Sequence, residues 1–156
     1  MVLVGLWKLL HLFFAFSFVG SLVVAEWNGR AARATHDWNQ RAILFQIVHL
    51  SSRLAGMGGL FMLGVFGNLT SIGLGYTMRH DAWLRWVNGI WVVALACMGF
   101  LSVPSARRLA DASRLAAGGG EPEGYDRWLR RWRLANVVQS VLYLTALVLM
   151  VFHWRS

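Results

Sequence analysis

The sequence predicts an all-α membrane protein: an antiparallel bundle of four transmembrane helices forming a single membrane domain over residues 1–156, with an amphipathic inner-surface helix before the second span. Three observations predict it. Hydrophobic residues make up 57% of the chain and charged ones 14%, with a mean hydropathy of +0.50, and a globule of this length cannot hide so much apolar surface from water. Four separate runs reach the roughly 20 residues that a helix needs to cross the hydrocarbon layer. The basic residues gather on alternate connections, as cytoplasmic loops require.

The first run covers 2–24 and is interrupted only by Lys8, His11, Ser17 and Ser21. A cleaved signal peptide is the rival reading, since Val23-Val24-Ala25 could pass as a small-residue cleavage site. The basic residue that should precede the apolar run is missing, however, and Lys8 comes after apolar residues, so a retained span is expected. The second span is read at 54–76. Its extension, 37–53, places Trp38, Ile43, Leu44, Ile47 and Leu50 at helical spacing among polar neighbours, which suits either an amphipathic surface helix or a continuation of the span into the cytoplasm. The third span is read at 83–103, with 106–115 as a helical continuation whose arginines snorkel to anionic lipid. Gly118-Gly119-Gly120-Glu121-Pro122-Glu123-Gly124 then breaks the helix as a hairpin linker, without the lysine of a phosphate-binding loop. The fourth span is read at 134–154.

Eleven of the fifteen basic residues flank the first and third connections: Arg30, Arg33, Arg41 and Arg53 on one, and Arg107, Arg108, Arg114, Arg127, Arg130, Arg131 and Arg133 on the other. Lys8, Arg79, Arg85 and Arg155 fall on the opposite side. The expected topology therefore has both termini outside and loops one and three in the cytoplasm. Tryptophans agree, with Trp7, Trp83, Trp86 and Trp154 near the outer boundary and Trp27, Trp38, Trp128 and Trp132 near the inner one; Trp91 alone lies deeper. A net charge of +8 is thus explained by membrane orientation, and no nucleic-acid partner is expected.

Polar groups inside the bilayer are the stronger functional clues, because each is costly without a partner. At the rise of an α-helix, His11 lies roughly 14 Å below the outer boundary, Asn68 and Asn88 roughly 8 to 12 Å, and Tyr143 near the midplane, with Met62 at a height comparable to His11. A neutral imidazole in a helix bundle is an axial ligand for heme iron or a ligand for copper, and it is equally an interhelical hydrogen-bonder. His49 is the second candidate ligand. If the second span starts at Leu54, His49 sits roughly 24 Å along the membrane normal from His11, out of reach of one metal. If it starts near Ala42 the two come level, but Gln46, Ser51, Ser52 and Arg53 are then buried. His36, His80 and His153 read as surface or interfacial. Gly56, Gly59, Gly64, Gly67, Ser71 and Gly75 form a small-residue stripe suited to helix packing, or to a flat ligand. Asn136, Gln139 and Ser140 are expected to hydrogen-bond across helices, and Cys97, the single cysteine, to pack. Intramembrane carboxylate pairs, transporter repeats and nucleophile or zinc motifs are absent from the sequence.

Leu10-His11 with Phe18-Val19-Gly20 following, Val103-Pro104-Ser105-Ala106-Arg107-Arg108 after the third span and the terminal Leu149-Met150-Val151-Phe152-His153-Trp154 resemble a bacterial family of predicted four-helix integral membrane proteins of unestablished function. More distantly, the first helix is similar to the heme-binding four-helix protoporphyrinogen oxidase and to the copper-resistance D membrane domain, where an early histidine precedes an aromatic residue and a glycine. That likeness implies His11 as the ligand of heme b or another metal. Phe18 stands where tryptophan would be expected, and the proline-arginine pair and second histidine of that motif are missing.

The expectation is a small protein of the bacterial cytoplasmic (inner) membrane, associated with a redox complex and holding b-type heme through His11, with His49 and Met62 as further candidate ligands. The alternative is a cofactor-free structural or accessory subunit that packs against other membrane subunits or a second copy of itself. A third reading is a protoporphyrinogen-oxidase-like enzyme.

Overall fold

The structure is a computed structural model that describes residues 2–152. Its regular structure is helical throughout, in four long rods: α1 (Val2–Ala34), α2 (Trp38–Gly73), α3 (Ala82–Ala117) and α4 (Tyr125–Val151). Each is long and apolar enough to cross a membrane. The positions expected for His153, Trp154 and Arg155, and the end of the fourth span read from sequence, lie outside the described residues.

The helices overrun the apolar runs that reveal them. α1 continues ten residues past the sequence-read limit of 24, because its polar end is helical in its own right: Arg30 pairs with Glu26 one turn away at 2.8 Å. The place where a signal peptide would be cut is mid-helix, with Ala25 fully buried. α2 begins at Trp38 beneath an N-cap, Asp37, whose carboxylate accepts the Asn39 N–H at 2.8 Å. From there the extension runs unbroken into the span. At the other end α2 stops at Gly73 rather than 76, and Gly75 takes a positive φ of 85° in the turn that follows.

Both central helices change pitch near their middles. Ser52–Gly58 of α2 and Met98–Ser102 of α3 are π-helical, and the two segments touch. In α3 the cause is legible. Pro104 has no N–H and its ring crowds the carbonyl four residues back, that of Phe100. The wider π turn accommodates the ring, α3 continues beyond its span to Ala117, as the helical continuation expected over 106–115, and the Phe100 carbonyl accepts instead from the Arg131 guanidinium at 3.1 Å.

Packing differs along the length of the rods. Where the two short connections 35–37 and 118–124 lie, all four helices close on a core of Ala25, Ala32, Phe45, Val48, Ala106, Leu109, Ala110 and Trp132. Trp132 is wholly buried, and Gly29 makes its space: a methyl there would overlap the indole. Towards the other end, α1 stays packed on α2 and α3 on α4, but α2 meets α3 much less closely. A cavity opens between the two pairs.

Candidate functional site

That cavity has a volume of about 280 Å³ and draws its walls from all four helices. Its lining is largely apolar and aromatic, with Phe18, Leu60, Trp91 and Tyr143 among the larger side chains. His11, Asn68, Asn88 and Gln139 supply polar groups. An apolar pocket with a few fixed polar side chains is the usual form of a small-molecule site.

His11 enters from α1. Its Nδ1 lies 2.9 Å from the Leu63 carbonyl oxygen of α2. A carbonyl can only accept, so Nδ1 carries the bonded proton, and in the tautomer protonated there alone Nε2 keeps its lone pair. Gly67 allows this approach: a Cβ there would stand 3.0 Å from both Cε1 and Nδ1 of the ring. The small-residue stripe therefore divides its work. Gly56 and Gly59 admit the Ser21, Ser17 and Phe14–Phe18 stretch of α1, and Gly67 admits the imidazole. Gly64 faces the other way, against Trp91 of α3, whose indole N–H donates to the Leu60 carbonyl at 2.8 Å.

Asn68 and Asn88, placed at one height by residue counting, are bonded to each other: the Asn68 amide donates to Asn88 Oδ1 at 2.8 Å and also to the Gly64 carbonyl at 2.9 Å. On the α4 side Gln139 is fully buried and donates to the Ala94 carbonyl at 2.8 Å, which fixes its amide orientation. Its Oε1 has no hydrogen-bond partner among the described residues. Of the three α4 polar residues expected to bond across helices, Gln139 alone does so among the described residues. Ser140 turns back to the Asn136 carbonyl at 3.0 Å, the usual local outlet for a helical hydroxyl, and Asn136 Nδ2 has no partner among the described residues. Cys97 is buried, with Sγ 3.9 Å from the Ala135 carbonyl.

The three ligands suggested by sequence are not brought together. His49 Nδ1 lies 3.3 Å from the Val103 carbonyl, beside the second π turn. It stands fourteen residues before Leu63 on the same rod, about 20 Å away at the helical rise. Arg53 and Met62 are both exposed on the outside of the bundle, although Met62 adjoins Leu63. Sequence reasoning missed the roles of Trp91 and Gln139 as cavity walls. The depth of Trp91, away from either tryptophan belt, was the available signal. Among the described residues, no group of three or more His, Cys, Asp or Glu side chains is gathered so that it could hold a metal ion.

Comparison with known proteins finds no match to this chain among family models, curated proteins or solved structures.

Proposed function

We propose that the chain is a small subunit of a bacterial cytoplasmic-membrane redox complex that binds b-type heme in the cavity, with His11 as an axial ligand. The observation that carries this reading is the bond from His11 Nδ1 to the Leu63 carbonyl. Metal-ligating histidines characteristically hold one ring nitrogen on a carbonyl or carboxylate, which fixes the ring and directs the other lone pair to the metal. The rest of the cavity fits a porphyrin in kind, with aromatic walls from α1, α3 and α4. One imidazole would suffice to hold a heme, which brings most of its iron's donors with it, whereas a bare copper ion would call for several protein donors. Bound heme would supply one-electron transfer. The protein's part is to orient the imidazole, exclude water and keep the ring within the hydrocarbon layer. His49 and Met62 have no role in this proposal.

The accompanying topology is an antiparallel bundle with connections 35–37 and 118–124 in the cytoplasm and both termini outside. The arginine distribution supports it, and the stretch 38–53, continuous with the second span, would then project from the inner surface into the cytoplasm. The test is the reduced-minus-oxidised visible spectrum of the protein purified in mild detergent. A Soret band that disappears in His11→Ala is expected; a Soret band that His11→Ala leaves unaltered refutes the ligand assignment. A colourless, iron-free preparation would favour the second reading, a cofactor-free accessory subunit, which the close glycine-mediated contacts also serve.

A further inference from the structure

We infer that Arg108, Arg127 and Arg131, gathered around Trp128, form a binding site for the headgroup phosphate of an anionic phospholipid. Their guanidinium carbons lie 5.8, 5.6 and 5.6 Å from the centroid of that one indole, so three positive charges from α3 and α4 surround a single side chain. The ring faces offset part of their repulsion, as cation–π contacts do. None of the three makes an ion pair with a carboxylate among the described residues. Among the described residues every ion pair goes to Glu26 or Asp111: Glu26 serves Arg30 and Arg33, and Asp111 serves Arg107 and Arg114. Asp126, next in the chain to Arg127, is exposed and makes no such pair among the described residues. The cluster is thus a concentrated cationic site short of anions, in a planar-donor chemistry that matches phosphate oxygens bidentately.

What distinguishes a lipid from free phosphate is the surface beside it. Arg131 reaches over to the Phe100 carbonyl at 3.1 Å. Phe100 is itself 75% exposed, and Leu134, one turn beyond Arg131 on α4, is 64% exposed. Both lie on the apolar side of the arginines along their helices. A diacyl lipid can therefore set its phosphate on the guanidinium cluster while its chains cover Phe100 and Leu134, whereas a free ion leaves them bare.

The full-length protein, delipidated in detergent and titrated with phosphatidylglycerol or phosphatidylcholine, is assayed by native mass spectrometry for retained lipid. A clear preference for phosphatidylglycerol is expected. It should fall about fivefold in Arg127→Gln and about a hundredfold in the triple Arg108→Gln/Arg127→Gln/Arg131→Gln variant, at about one such factor per neutralised charge. Arg30→Gln, which loses a charge already paired with Glu26, should retain it. Because Arg127 is an exposed side chain, its single variant keeps the test decisive should the triple variant fail to fold. Equal retention of both lipids by the wild type, or an undiminished preference in Arg127→Gln and the triple variant, overturns the site. Displacement of the lipid by millimolar inorganic phosphate overturns the choice of lipid over free ion.

Discussion

Replacing Gly64 by alanine tests the wall between the two helix pairs. The added methyl would overlap the five- and six-membered rings of Trp91 where they join, not the tip of a flexible chain. The indole cannot retreat without stretching its 2.8 Å bond to the Leu60 carbonyl. Overpacking of this kind costs about 1–3 kcal/mol, and losing the hydrogen bond adds about 1 kcal/mol. The gain in helix propensity returns about 0.5–1 kcal/mol, so a net loss of roughly 1–3 kcal/mol is expected. Gly20 is the control, since a methyl there meets open space, and Gly20→Ala should stay within about 0.5 kcal/mol of the wild type. Reversible unfolding in mixed micelles, with denaturing detergent as the variable, measures both. If Gly64→Ala proves as stable as Gly20→Ala, α2 and α3 are not in contact through Trp91 and the cavity is wrongly drawn.

Further outcomes follow from the same packing. Trp132→Ala removes the largest fully buried side chain and should cost about 3–5 kcal/mol in the same unfolding assay. A double-mutant cycle with Asn68→Leu and Asn88→Leu should give a coupling of about 0.5–1.5 kcal/mol, the range of interhelical hydrogen bonds in lipid; a coupling of zero would mean the 2.8 Å bond does not persist in the membrane. If heme is held by His11 as proposed, Gly67→Ala, which presses on the imidazole, should shift its visible spectrum without abolishing it, while Gly20→Ala leaves it unchanged. In a Cys97→Ala background, cysteines at His36 and Gly119 should be labelled by an impermeant reagent only from the cytoplasmic side and one at Arg79 only from outside; the opposite pattern refutes the topology.

The four rods were legible because their signal is bulk hydropathy over many residues, which no local detail can cancel. Their ends were legible only in part: the continuation of α3 beyond its span was readable at 106–115 and is helical to Ala117, whereas residues 25–34 of α1 persist as helix through polar sequence on an ion pair that hydropathy does not register. The π turn before Pro104 was half legible: proline announces that the ladder must change, but whether the helix stops or widens depends on whether another group, here Arg131, takes up the freed carbonyl. At the candidate site, counting residues gave the shared depth of Asn68 and Asn88 correctly, because rise per residue is fixed. It could not give azimuth. That Gly64 and Gly67, three residues apart, serve Trp91 on α3 and His11 on α1 respectively depends on how the pairs splay, a property of the assembled bundle.

The proposed heme binding requires the Nε2 of His11 to reach a metal in the cavity, and chemical rescue reads this directly. His11→Gly, purified in mild detergent, should lack the wild-type Soret band and regain it when imidazole is added, because the small ligand fills the space left by the side chain. A His11→Gly protein whose spectrum already equals the wild type, with no response to imidazole, would contradict it.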